Sequence, residues 1–219
     1  KENLLNSKKV GIIAEFKRKS PLKGMINQYA DAEKVTIGYM QAGASALSVL
    51  TDNHFFGGSS QDLTTARKYN FCPILRKDFT VSEYQIIEAK SIGADAILLI
   101  AAILTKEEIT SFTNLAHQLG LEVLLEVHTQ EELEKYTPEI TLVGINNRNL
   151  KTFEVDFENS IRLTNQLPSG TVKIAESGIN KSSSIIKLRE QGFDGFLIGE
   201  NFMKTAEPEI AAKKFIEQI

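Results

Sequence analysis

Short apolar, β-branched runs alternate with longer amphipathic stretches along this chain, and the alternation occurs eight times. The runs predict strands over residues 10–15, 46–51, 73–77, 96–100, 122–127, 142–146, 172–176 and 195–198. Near-continuous apolar segments such as Ala-Ile-Leu-Leu-Ile and Gly-Phe-Leu-Ile suit parallel strands buried on both faces. The intervening stretches carry helical stripes. Ile109, Phe112, Ala116 and Leu119 fall at i, i+3, i+7 and i+10, and Ala212, Phe215, Ile216 and Ile219 repeat the stripe near the end. Gly43, Gly93 and Gly192 each stand just before a strand, where a left-handed glycine can stop the preceding helix.

Strict βα alternation implies right-handed crossovers and a parallel sheet. Such a sheet either closes or stays open. An open sheet that binds a dinucleotide carries G-x-G-x-x-G after its first strand, and here that turn reads Phe-Lys-Arg-Lys-Ser-Pro-Leu-Lys-Gly over 16–24. Eight units within 219 residues favour closure. The expected fold is an α/β (β/α)8 barrel (TIM barrel) with a parallel eight-stranded sheet, forming one domain over 1–219. No Pro/Gly/Ser-rich linker or low-complexity segment divides it.

Composition narrows the class further. Hydrophobic residues make up 42% and charged residues 24% of the chain, enough for one sizeable core. No apolar run approaches the ~20 residues of a membrane span, because 96–104 is soon followed by Lys106, Glu107 and Glu108. The start, polar apart from Leu4 and Leu5, lacks a secretory pattern. A single cysteine, Cys72, rules out an internal disulfide framework and fits a reducing compartment, so a cytoplasmic location is expected. A net charge of -3, with only a short basic cluster at Lys17, Arg18 and Lys19, gives no reason to expect nucleic acid.

Barrel chemistry comes from the C-terminal ends of strands and the loops after them. Six strand ends carry charged or amide groups: Glu15 with Lys17, Arg76-Lys77-Asp78, Glu126 with His128, Asn146-Asn147-Arg148, Glu176-Ser177, and Glu200-Asn201 after Gly199. The two-residue period of a strand puts Glu15 and Lys17 on one side, and Lys77 with Leu75 opposite Arg76. Each residue alone is also explained by a solvated strand end. Together they suggest a cleft in which lysine and glutamate tune each other for general acid–base work. The loops after strands 7 and 8 carry Gly178 and Gly199, at the common barrel site for phosphate; the plain alternative is a pair of tight turns. Ser20-Pro21 is a weak signal. His54, His117 and His128 show no ligand spacing, no metal site is visible, and Cys72 reads as a small core residue.

Taken together, the segments resemble the indole-3-glycerol phosphate synthase family of tryptophan biosynthesis. The stretches that carry the resemblance are IIAEFKRKSPLKG (12–24), ALSVLTDNHFFGGS (46–59), PILRKDFTVSEYQIIEAKSIGADAILLI (73–100), GLEVLLEVHTQEEL (120–133), VGINNRNLKTFEVD (143–156), IAESGI (174–179) and FLIGENFM (196–203). The ESG and IG turns occur in many phosphate-binding barrels. A-E-x-K-x-x-S-P-x-x-G and L-R-K-D-F are far more particular.

The resemblance implies a carboxy-lyase that closes an indole ring. A 1-(2-carboxyphenylamino)-1-deoxyribulose 5-phosphate would give indole-3-glycerol phosphate, CO2 and water by ring closure, decarboxylation and dehydration. It matches Lys77 to the general acid at the ketone oxygen and Glu126 to acid–base work in the dehydration. Lys17 matches a lysine that contacts substrate and its phosphate and can also donate protons. Glu15 matches its partner carboxylate, and Asn146 and Glu176 match residues lining the catalytic pocket. Ser20 and Arg148 fall near the substrate carboxylate and ring. Pro21, Phe79 and Leu98 would wall the ring. Ser177, Gly178, Gly199 and Glu200 match the phosphate loops. No organic cofactor or metal is implied, nor a nucleic acid or membrane partner; a monomer is expected, with a pathway-enzyme partner left open.

Two departures from the family pattern stand out. The family usually carries an N-terminal helical extension over the pocket, and here the first strand begins almost at once, so either the extension has been trimmed from this chain or it is short or absent by nature. Glu200 stands where some members have a small hydroxyl residue; its amide can still serve phosphate if its charge points away. Two other readings compete: another phosphosugar barrel, either a ketose isomerase or a Schiff-base aldolase with Lys77 as nucleophile, and a barrel that binds phosphorylated ligands without turnover.

Overall fold

The computed structural model of the chain describes residues 1–148 and 156–219. Residues 149–155, half of the 143–156 stretch, lie outside the described residues. Among the described residues, eight parallel strands close into a barrel in chain order. They are β1 (Ile12–Phe16), β2 (Ala46–Leu50), β3 (Ile74–Lys77), β4 (Ala96–Ile100), β5 (Glu122–Val127), β6 (Leu142–Asn146), β7 (Val172–Glu176) and β8 (Gly195–Ile198). β1 pairs with β2 on one side and with β8 on the other, which closes the ring. A short antiparallel hairpin, Lys19–Ser20 with Gly24–Met25, stands in the loop after β1.

Five of the eight strand ranges agree with the apolar runs, and the three that shift do so for visible reasons. β1 begins at Ile12 rather than at residue 10, because Gly11 takes φ 72°, outside the extended region. Its amide goes to Ser45 Oγ instead of a ladder partner. β3 begins at Ile74 because Pro73 has no N–H to donate. β2 ends at Leu50, and Asp52 turns to cap the helix Asn53–Phe56. Gly43, Gly93 and Gly192 have φ of 98°, 96° and 86°, the helix-stopping conformation expected of them.

Period-2 alternation sorts the apolar residues into two cores. Ile13, Leu75, Leu98, Ile100, Leu124, Leu142, Ile174 and Leu197 fill the barrel interior. Ile12, Phe16, Leu47, Ile74, Ile97, Leu99, Val123 and Val143 face outward into the layer under the helices. Both expected stripes are seated there. Ile109, Phe112 and Ala116 of the helix Lys106–Gln118 are buried, as are Ala212, Phe215 and Ile216 of Pro208–Ile216. At the floor of the barrel a single helical turn, Glu2–Leu5, sets Leu4 among the interior residues. No helix among the described residues is long and apolar enough to cross a membrane.

Candidate active site

The alternation that builds the inner core has a consequence at its upper end. On each strand the residue two beyond the last interior aliphatic also faces inward. Ile13 is followed by Glu15, Leu75 by Lys77, Leu124 by Glu126 and Ile174 by Glu176. On β6 the same parity carries Leu142 to Gly144 to Asn146. Register brings these ends to similar heights, since Asn146 lies beside Glu176 and Glu126 beside Gly144.

The result is one charged cluster on an apolar floor. Lys77 Nζ donates to Glu176 Oε2 at 2.7 Å and lies 3.4 Å from Glu15 Oε2 and 3.9 Å from Glu126 Oε2. Lys17 Nζ reaches Glu15 Oε1 at 2.5 Å, and Asn146 Nδ2 donates to Glu126 Oε1 at 3.2 Å. Glu15, Glu126 and Glu176 are all buried. Two glycines make room for them. A Cβ on Gly144 would lie 2.0 Å from Glu176 Oε1, and one on Gly199 would lie 2.3 Å from Glu15 Oε1.

Burial and charge pull these groups apart in acidity. Burial disfavours the Lys77 ammonium, but Glu176, Glu15 and Glu126 outweigh it, so Lys77 is held well above its usual value and stays charged. Burial likewise pushes Glu15 up, yet Lys17 and Lys77 bring it below the ordinary carboxylate range. Burial dominates at Glu176, with repulsion from Glu126 and Glu15 added to it, and its carboxyl is pushed up to about 7 despite Lys77. A Lys77 that is charged at rest is a poor amine nucleophile, which weighs against a Schiff-base aldolase.

Beyond β7, Ser177 and Gly178 take φ of 67° and 75°, two successive left-handed residues that turn the chain back sharply. For Ser177 that conformation is strained, on the order of 1 kcal/mol. Buried Asn147 holds the turn, its Nδ2 donating to the carbonyls of Glu176 at 2.7 Å and Ser177 at 2.9 Å. After β8, Gly199 leads directly into the short helix Glu200–Met203.

Residues 1–215 match a sequence model of the family described as indole-3-glycerol phosphate synthase. A protein of that name from Bacteroides thetaiotaomicron is 54% identical over 215 residues, covering 98% of this chain and 83% of the relative. The chain belongs to the indole-3-glycerol phosphate synthase family. Another member, from Campylobacter fetus subsp. fetus, is 45% identical over 205 residues, 93% of this chain and 80% of its own. Among solved structures, a thiamine phosphate pyrophosphorylase from Pyrococcus furiosus is similar with a TM-score of 0.69 at 16% identity, covering 99% of this chain and 98% of that one. At that identity the likeness shows the barrel alone.

Against the synthase pattern, the structure brings Glu15, Lys17, Lys77, Glu126, Asn146 and Glu176 into one cluster. Phe79 packs against the interior core that contains Leu98, and its ring lies 5.7 Å from Phe55 and 6.1 Å from Phe56. Phe55 and Phe56 add to that aromatic wall; they were not singled out by sequence, though they sit in the matching 46–59 stretch. Ser20 Oγ accepts from the Lys23 amide within the hairpin, and Pro21 is exposed, outside both apolar cores. Arg148 reaches toward Glu200, Nη2 to Oε2 3.9 Å, across the loops after β6 and β8. The Glu200 charge therefore points at that arginine. His128 also enters the site. Its Nε2 lies 3.4 Å from Glu126 Oε1, which residue spacing along β5 could have shown, since 126 and 128 share parity. His117 is exposed on its helix and Cys72 is buried. Among the described residues, no group of three His, Cys, Asp or Glu side chains could hold a metal ion.

Proposed function

We propose that this barrel closes the indole ring on the Lys77 ammonium, with Glu126 and Lys17 as the further proton-transfer groups. The chain is a carbon–carbon lyase that converts 1-(2-carboxyphenylamino)-1-deoxyribulose 5-phosphate to indole-3-glycerol phosphate, CO2 and water. The observation that carries the assignment is the position of Lys77, an ammonium set among three inward carboxylates from three other strands.

In the first step the ring carbon bearing the carboxylate attacks the sugar ketone, and Lys77 gives a proton to the oxygen as negative charge builds there. Loss of CO2 restores the aromatic ring. The new hydroxyl then leaves as water with a proton from Glu126. The neighbouring carbon gives its proton to the Lys77 amine, which returns to ammonium. Lys17, held by Glu15, contacts the substrate and is the second donor. Ser177, Gly178, Gly199 and Glu200 offer backbone amides to the phosphate, in loops suited to an anion. Phe79 and Leu98 wall the anthranilate ring, with Ser20 and Pro21 closing over it from the hairpin. Arg148 meets the carboxylate.

Mixing the protein with the anthranilate-bearing deoxyribulose phosphate tests this reading by indole fluorescence. Product should appear with CO2 in equal amount. No product at high protein concentration would sink it, and protection against unfolding without turnover would instead favour a binding role.

A further inference from the structure

The overall reaction has a proton balance that the central cluster alone does not close. The substrate enters with an ionised carboxylate and leaves as CO2, a neutral indole and water, so each turnover consumes one proton. In the sequence above, Lys77 gives one proton and recovers one. Glu126 gives one and recovers none. Its buried carboxyl must be reloaded from solvent by some group beside it.

His128 is the group in place. It follows Glu126 by two residues on the same side of the chain, and its ring lies between two carboxylates. Nδ1 is 3.3 Å from Glu132 Oε2, the oxygen that also accepts the His128 backbone N–H at 2.7 Å. Nε2 is buried and 3.4 Å from Glu126 Oε1, and among the described residues it has no hydrogen-bond partner. A small rotation of either side chain brings that pair within bonding distance. Glu132 is an acceptor only when ionised, so it fixes the hydrogen on Nδ1. The Nε2 lone pair and a Glu126 carboxylate would then repel each other. One proton between them removes the repulsion, whether the pair is imidazolium with carboxylate or imidazole with carboxylic acid.

We propose that His128, braced by Glu132, shares this proton with Glu126 and returns to Glu126 the proton that each turnover consumes. His128 acts through Glu126 and is therefore a positioning and proton-feeding residue; the inference rests on the role proposed for Glu126. The groups facing the ring agree with it. Glu126 comes from β5, Glu132 from the turn Gln130–Leu133, and Glu176 from β7, while Asn159 of the helix Phe157–Thr164 donates to the His128 carbonyl at 3.1 Å. Burial pushes the imidazole down, but Glu132, Glu126 and Glu176 together raise it above its usual value, so it holds its proton more tightly than a free imidazole. Glu132 is held below the carboxylate range, as an acceptor must be: burial pushes it up, but its bonds to His128 prevail.

The test is the pH profile of kcat for His128→Gln beside the wild type, with urea midpoints as a control for folding. In the wild type the loaded pair loses its proton only above the ordinary histidine range. In the variant Glu126 has no imidazole beside it to share or return the proton, so the alkaline limb should move to lower pH. At pH 8 kcat should fall roughly 10-fold, a larger loss than at pH 5.5, with KM within about twofold. An unmoved limb, or an equal loss at every pH, would overturn the proposal. Should the variant fold poorly, imidazole 15N spectra of the wild type and Glu126→Gln decide; with three histidines in the chain, assignment is direct. The His128 midpoint should drop when the Glu126 charge is removed, and an unchanged midpoint would contradict the sharing. Normal kcat in Glu126→Gln is a different outcome, for it would remove the role given to Glu126 itself.

Discussion

Replacing Gly144 with alanine is the sharpest structural test of how the carboxylate cluster is held. The added Cβ would lie 2.0 Å from Glu176 Oε1 and 3.1 Å from its Cδ, with Leu124 Cδ1 next at 3.3 Å. Glu176 must therefore move by more than an ångström, which breaks its 2.7 Å bond with Lys77. Overpacking of a filled interior costs about 1–3 kcal/mol. Loss of a charge-assisted bond adds roughly 1.5–3 kcal/mol. Against these, alanine in place of glycine in an unstrained extended backbone stabilises by about 0.4–1 kcal/mol through the unfolded chain. The net cost of Gly144→Ala is then about 1.5–5.5 kcal/mol. In a Glu176→Ala background the 2.0 Å clash is gone, the Leu124 Cδ1 contact at 3.3 Å stays, and the same substitution should be close to neutral. Urea unfolding of the four proteins in the cycle measures the difference, which should reach about 2 kcal/mol or more. An equal cost of Gly144→Ala in both backgrounds would refute the steric argument.

Three other outcomes follow from the same geometry. Glu176, with its carboxyl near 7 when folded against 4.5 as a free group, binds a proton more tightly in the folded state. Its contribution to stability is fully present below pH 4.5 and is lost as pH rises through 7, on the order of 3 kcal/mol at most. Urea midpoints from pH 4 to 8 should therefore decline more in the wild type than in Glu176→Gln, and parallel profiles would count against the raised acidity. Arg18 grips buried Asp62 through two 2.8 Å bonds and ties the loop bearing Lys17 and Ser20 to the helix Ser60–Tyr69. Asp62→Ala should cost about 1–3 kcal/mol and raise KM more than it lowers kcat, as steady-state kinetics can show. Glu200→Gln frees Arg148 from a competing carboxylate and should lower KM by a few-fold, about 0.5–1 kcal/mol; an unchanged KM would remove Arg148 from carboxylate binding.

The barrel was readable because its local rules are strict. Buried parallel strands must be apolar throughout, and helices ending in left-handed glycine mark where each strand begins. The charged cluster was readable as residue types at strand ends, and parity on β1 and β3 already set Lys17 with Glu15 and Lys77 apart from Arg76. What sequence could not give was distance between strands. Nothing in the spacing of Lys77 and Glu176 announces a 2.7 Å bond, because barrel register sets it. His128 stands beside Glu126 at a strand end, but its partners Glu126 and Glu132 are carboxylates and not a metal, so no ligand spacing marks it. Gly144 and Gly199 carried a meaning that only packing reveals. Gly199 reads as a phosphate turn, yet it also clears space for Glu15. The facing of Glu200 and Arg148 is a pairing between two loops that no local pattern encodes.

The most direct test of the central claim is turnover by Lys77→Met, followed as indole fluorescence with the anthranilate-bearing substrate at saturation. Methionine keeps the stem and removes the ammonium. If Lys77 protonates the ketone oxygen, kcat should fall by ~10² or more while substrate still binds. A kcat within about threefold of the wild type would contradict the account and pass the first proton transfer to Lys17.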